Sequence, residues 1–270
     1  MQRNILTWRK NNGICKRKTL AMPHRILFNV DAKNPKCYSG SGTTVTDSVS
    51  GTTLSLNNGA SFSIDHFAFD GSNDGLKASA VIPGMDFQYT QEFTLEVVAK
   101  IKETGTGYIL NNRGANDGTQ NYRGWGILSS GSSPNTIVKG TVGMYKSAHH
   151  WVGTGCTAAD FTNIVHNKWC HIVYSNAGNG IEASLFLNGV DKSDYDNPPN
   201  DNTDVIYDAN NVADTINYDS DNVISIGIDS VNDSDWGSYS EVAIARVYDV
   251  ALTPKEVLQN FNCIRGRFGL

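Results

Sequence analysis

Short runs of β-branched and aromatic residues recur along the chain, separated by clusters of Gly, Asn, Asp and Pro, and the apolar positions follow the period of strands. Residues 93–102 are the clearest case. Phe93, Leu95, Val97, Ala99 and Ile101 share one face, while Thr94, Glu96, Val98, Lys100 and Lys102 share the other, which predicts a strand with a core side and a wetter side. The run Arg25-Ile26-Leu27-Phe28-Asn29-Val30 predicts another, ended by the helix-hostile Asp31-Ala32-Lys33-Asn34-Pro35. Further strands are expected at 125–128, 141–145, 169–174, 183–187, 223–228 and 241–247. After Leu185-Phe186-Leu187 comes Asn188-Gly189, a pair suited to the two positive φ angles of a type I′ hairpin turn. Only one helix is predicted. Thr253 can cap it, Pro254 fits its first position, and Glu256 completes a capping box. Val257, Leu258 and Phe261 form its apolar stripe, and a short helix packed on the edge of a sandwich is expected.

Length and composition fit this pattern to one large all-β domain, because 270 residues can bury a sufficient core without staples. No apolar run approaches the roughly 18 residues of a membrane-spanning helix. The net charge of −5 hides an asymmetry. Residues 1–22 contain no acid and form a basic extended N-terminal arm, leaving 23–270 as an acidic domain. The body therefore lacks the clustered cations that nucleic-acid binding requires. In the arm, Arg3, Trp8, Arg9, Lys10, Lys16, Arg17 and Lys18 are candidates for anchoring to a partner protein, since its apolar residues are too sparse to bury themselves. Five cysteines without a CxxC pair predict free thiols in a reducing compartment, with neither a disulfide framework nor a zinc site. The arm has no apolar core of a secretory signal.

The chemistry-bearing residues point away from catalysis. A retaining glycosidase needs two carboxyl groups about 5–5.5 Å apart, and the glutamates (Glu92, Glu96, Glu103, Glu182, Glu241, Glu256) show no such alternating pattern. Glu92 and Glu96 would share a strand face but lie over roughly 10 Å apart. No HExxH, GxSxG or phosphate-binding loop is present, so no enzymatic activity is expected. His149-His150-Trp151 reads as a loop with partly buried aromatics, because neighbours on a strand point to opposite faces. Residues 191–235 are rich in Asp, including Asp194, Asp196, Asp219, Asp221, Asp233 and Asp235, an oxygen-rich stretch that suits Ca²⁺ but lacks EF-hand spacing. A glycan site wants an exposed aromatic beside hydrogen-bonding groups. Trp236 with Asp233, Asp235 and Tyr239 fits that description, as does Tyr195 with Asn197.

Four blocks in order resemble the laminin G-like members of the concanavalin A-like lectin and glucanase superfamily. They are Phe69-Asp70-Gly71-Ser72-Asn73-Asp74; Phe93-Thr94-Leu95-Glu96-Val97; Trp169-Cys170-His171-Ile172-Val173-Tyr174 with Leu185-Phe186-Leu187-Asn188-Gly189; and Ala245-Arg246-Val247-Tyr248-Asp249 with Ala251-Leu252-Thr253 and Glu256. The acidic pair usual before the last strand is replaced by Ala243-Ile244. The resemblance implies an antiparallel jelly-roll β-sandwich with one short C-terminal helix. The opening Val30-Asp31-Ala32 and Tyr38-Ser39-Gly40-Ser41-Gly42-Thr43, and the closing Asn260-Phe261-Asn262 and Gly266-Arg267-Phe268-Gly269-Leu270, are similar to structural proteins of tailed bacteriophages. A capsid decoration or a head or tail fibre on the virion surface, assembled in the host cytoplasm, is what this implies. Its partners would be other virion proteins and its own copies, a trimer suiting a fibre, and glycan binding is the alternative role.

Overall fold

The computed structural model describes residues 20–21, 25–88, 90–102, 107–113, 124–130, 137–144, 148–153, 167–178, 183–193, 222–230 and 237–270, with the backbone alone at 130, 137, 139–144 and 148–153. Two antiparallel sheets face each other. In the first, the spatial order is β14 (Val190–Asp191), β13 (Ala183–Leu187), β12 (Trp169–Ala177), β7 (Glu92–Ile101), β16 (Tyr239–Tyr248), β5 (His66–Asp70) and β4 (Ser61–Ser63), with β1 (Ile26–Asp31) also pairing β16. In the second, it is β11 (Ala148–Gly153), β10 (Ile137–Met144), β9 (Gly124–Ser130), β8 (Gly107–Arg113), β15 (Ser225–Ile226), β6 (Gly75–Ala78), β3 (Thr53–Asn57) and β2 (Thr44–Thr46). The strand expected over 223–228 is thus confined to Ser225–Ile226, because Gly227 adopts a φ of +83° that ends an extended run.

The core lies between the sheets and follows the period-two pattern. Phe93, Leu95, Val97, Ala99 and Ile101 of β7 point into it, meeting Trp125 and Ile127 of β9 and Ile109 and Leu110 of β8 in one buried cluster. Trp125 is fully buried, and its indole N–H donates to the Met85 carbonyl at 2.7 Å, which satisfies the one polar group it carries. The turn at Asn188-Gly189 has φ of +51° and +79° and joins β13 to β14 with Leu187 opposite Val190, as the pair of residue types predicts.

The other face of β7 departs from expectation. Thr94, Glu96 and Val98 are fully buried: the 250–252 segment bonds Thr94, and helix α1 (Pro254–Phe268) lies across the outer face of the first sheet over Glu96 and Val98 and not at its edge. Ile264 packs on Val98, Ala243 and Ile244, which explains why apolar residues stand at 243–244. Asn260 of α1 reaches Glu96 and Tyr248. Leu258, assigned to the apolar stripe by pattern, is 45% exposed, and the buried positions are Val257, Asn260, Phe261 and Ile264. The start of α1 is as expected: the Thr253 side chain accepts from the Glu256 N–H and the Glu256 side chain accepts from the Thr253 N–H. Such a cap stabilises by about 1 kcal/mol.

Under α1 sits a buried polar network built from three of the four sequence blocks. The Glu96 carboxylate accepts from His171 Nε2 (2.9 Å) and Arg246 Nη1 (2.9 Å) at one oxygen, and from the Tyr248 hydroxyl (2.6 Å) and Asn260 Nδ2 (3.1 Å) at the other. Burial alone would raise this carboxyl, but the Arg246 charge and the bonds from His171 and Tyr248 outweigh it and hold its pKa at about 2. Tyr248 is pushed upward by burial and by the Glu96 charge. The root of the N-terminal arm joins the same cluster, since the Ala21 N–H donates to Asn260 Oδ1 at 2.7 Å. Leu20 and Ala21 therefore lie on the domain, and the anchoring candidates Arg3, Trp8, Arg9, Lys10, Lys16, Arg17 and Lys18 fall outside the described residues.

Candidate ligand-binding surface

At one end of the first sheet's outer face, beside the C-terminal end of α1, aromatic and charged side chains form a strip. Strand register sets their order. Trp169 of β12 pairs with Lys100 of β7, which pairs with Glu241 of β16. One turn of the pleat further along, Tyr239 begins β16, and its carbonyl accepts the Lys102 N–H at 2.9 Å. Lys100 and Lys102 are those on the polar face of the 93–102 alternation, and their ammonium groups stand over rings: Lys100 Nζ is 5.2 Å from the Trp169 centroid and Lys102 Nζ is 5.6 Å from that of Tyr239. Both are held by one carboxylate, with Lys100 2.6 Å from Glu241 Oε2 and Lys102 2.7 Å from Oε1. Burial raises the Glu241 carboxyl, and the two lysines more than reverse this, leaving it below its ordinary value.

His66 of β5 closes the strip. Its ring meets Trp169 edge-on at 5.4 Å, and Nε2 lies 3.6 Å from Glu241. Phe268, at the end of α1, also packs on Trp169, at 5.0 Å. Arg267 pins the β4–β5 hairpin through the Asp65 carboxylate (3.1 Å) and carbonyl (2.9 Å), and also reaches Asp31 at 2.7 Å. At the tip of that hairpin Ile64 is 87% exposed with a φ of +54°, a conformation that penalises β-branched residues.

Of the glycan-site residues expected from sequence, Tyr239 is on this strip and 40% exposed. Trp236, Asp233 and Asp235 lie outside the described residues, as do Tyr195, Asn197 and most of the Asp-rich stretch considered for Ca²⁺. Among the described residues, no three of His, Cys, Asp and Glu gather as a cation site. Tyr239 is placed by Gly71, in the turn between β5 and β6. With φ of +84°, Gly71 presses so closely that a Cβ there would lie 2.8 Å from Tyr239 Cβ. His149, His150 and Trp151 belong to β11, a strand where a loop was expected. Sequence reasoning missed Lys100, Lys102, Trp169, His66 and Glu241 as a group, because only strand pairing brings positions so distant in the chain together. The alternation at 93–102 could have flagged the two lysines.

Apart from Glu241, the acids buried among the described residues serve the fold. Glu96 is enclosed by its four donors, and Asp229 pairs with Arg113 at 2.7 Å. Asp47 accepts the N–H groups of Asn29, Val49 and Ser50. Asp74 accepts the Asp70 N–H with both oxygens at 2.9 Å, and burial with the nearby Asp70 charge raises it to about 6. The free thiols of Cys37 and Cys170 are buried, and burial pushes Cys170 up to about 12, which leaves little nucleophilic thiolate.

No protein-family model matches the chain, and no curated protein matches it. Solved structures do. A Trypanosoma rangeli sialidase in complex with sialic acid aligns at a TM-score of 0.58 with 16% identity, covering 95% of this chain and 35% of its own. The receptor-binding domain of a botulinum neurotoxin C/D mosaic serotype aligns at 0.58 with 12% identity, covering 88% and 51%. The ligand-binding domain of botulinum neurotoxin serotype D, in complex with N-acetylneuraminic acid, aligns at 0.58 with 12% identity, covering 88% and 50%. This chain thus spans about a third of the sialidase and about half of each toxin domain. Together with the two antiparallel sheets and the single helix described, the likeness establishes the fold as an all-β jelly-roll sandwich.

Proposed function

We propose that this chain is a non-catalytic lectin-like domain that binds glycans through the outer-face strip. The observation that carries the reading is the pair of aromatic rings, the 40% exposed Tyr239 and the half-buried Trp169 at the margin of α1, held beside fixed charged groups on the outer face of the first sheet. Sugars are bound by such a combination, the ring taking the apolar C–H face and the charged groups taking hydroxyls. From strand spacing and rise, the two rings stand roughly 12 Å apart, a footprint for an oligosaccharide. Support from the solved structures is of the same general kind, since two of the similar proteins are named with a bound sialic acid. A glycan array tests the reading: the domain binds at least one class of oligosaccharide, Tyr239→Ala abolishes the signal, and the variant melts as the parent does. Silence across a broad array overturns it.

The finer placement within this reading is a tailed-phage virion, with the basic arm fixing the domain to capsid or tail protein and the sandwich displayed outward. It rests on the resemblance at the two ends of the chain and on the docking of Ala21 beside α1, which sets where the arm leaves the domain. Deletion of residues 1–19 keeps that docking contact and should abolish incorporation into particles while leaving a folded domain. Normal incorporation of the truncated protein refutes the anchoring role.

A further inference from the structure

Resting on that glycan-binding reading, we propose that the strip selects sugars carrying a carboxylate, with Lys100 and Lys102 receiving the acid group and Tyr239 the adjoining ring. Lys100 and Lys102 lie two residues apart on one face of β7, and each ammonium, with three N–H donors, is ion-paired to a different oxygen of Glu241. The shared carboxylate therefore fixes both ammonium groups in place and leaves further donors on each. Two cations against one anion give the group a formal charge of +1.

Among the described residues, the neighbouring charges do not cancel it directly. Asp65 is engaged by Arg267. Asp70, opposite Tyr239 on β5, accepts from the Ser72 N–H at 2.8 Å and lies on the far side of the Tyr239 strand from β7. Lys100 and Lys102 are 27% and 28% exposed: open enough to be reached, and sheltered enough that their charges act more strongly than in bulk water. A neutral sugar would gain the ring contact and hydrogen bonds from the ammonium groups to its hydroxyls. An acidic one adds charge-assisted bonds to both ammonium groups, each roughly twice as strong as a neutral hydrogen bond.

The probes are oligogalacturonate and sialyllactose, each beside its methyl ester, which keeps the sugar ring and removes the charge. Binding of the acid at least tenfold tighter than its ester supports the proposal, provided that Lys100→Gln/Lys102→Gln levels the two and Tyr239→Ala weakens both. Because the double variant leaves Glu241 without partners, the parent protein is also measured between 50 and 500 mM salt, as an order-of-magnitude span over which ionic contacts are screened. The preference for the acid should shrink with salt while binding of the ester holds. Equal binding of acid and ester, or neutral glycans alone binding on the array, overturns the acid preference and leaves the glycan reading standing. Absence of binding to any glycan removes both.

Discussion

Replacing Glu96 by Gln tests whether the network beneath α1 holds the domain together. The wild-type carboxylate accepts from four donors, two at each oxygen, in a site without solvent exposure. A Gln amide keeps the shape, but it can offer an acceptor to only one of the two donor pairs and sets its own N–H groups against the other. It also leaves the buried Arg246 guanidinium uncompensated, and breaking a buried pair in this way costs about 3–5 kcal/mol. The shift of the Glu96 pKa from 4.5 to about 2 points to a similar size, about 3 kcal/mol at ~1.4 kcal/mol per unit. For a domain of this size that corresponds to a fall of roughly 6–12 °C in Tm, read by calorimetry at neutral pH. Since the folded-state value is depressed, this stabilisation is present above pH 4.5 and is lost as pH falls toward 2. The parent should therefore lose more stability than Glu96→Gln over that acid window. A melting point within roughly 2 °C of the parent, or identical acid profiles, refutes the argument that the network is structural.

Three further outcomes follow from separate features. Ile64→Gly should raise stability by about 1 kcal/mol, because relief of ~1–2 kcal/mol of left-handed strain outweighs the ~0.5–1 kcal/mol entropic penalty of glycine and the exposed side chain buries little; a lower urea midpoint contradicts this. Gly71→Ala should lower Tm and weaken glycan binding together, since the new Cβ collides with Tyr239, and unchanged binding shows that the turn does not set the ring. The raised Asp74 carboxyl contributes stability that is full below pH 3.8 and is lost as pH climbs through about 6, so the parent should melt higher near pH 5 than near pH 7 on this account. Asp74→Asn should flatten that slope, and an unaltered slope assigns it to another group.

Strand content and the capped helix were legible because they depend on local periodicity and turn chemistry: 93–102, Asn188-Gly189 and Thr253-Pro254-Lys255-Glu256 each carry their own signal. The burial of Glu96 was not, because an acid on the polar side of an alternating strand reads as solvated until something covers it. That cover is α1, whose position depends on contacts between residues more than 150 apart in sequence, such as Asn260 with Glu96. The motif residues of the resemblance have the same explanation, since Glu96, His171 and the Arg246/Tyr248 pair come from three separate blocks and meet only in three dimensions. Tyr239 was found as an exposed aromatic near acids. Its lysine neighbours come from β7, and only the pairing of β7 with β16 brings them beside it.

The docking of Ala21 on Asn260, together with the pairing of β1 along β16, ties the two ends of the polypeptide to each other on one side of the domain. Tension applied through the arm would meet this clasp first: the Ala21 contact, then the ladder between β1 and β16 loaded along its length, before any force reached the sandwich interior. A domain hung from its N-terminus would thus shed its first strand only after its fastening had failed, and the displayed strip would keep its shape under pull until that moment.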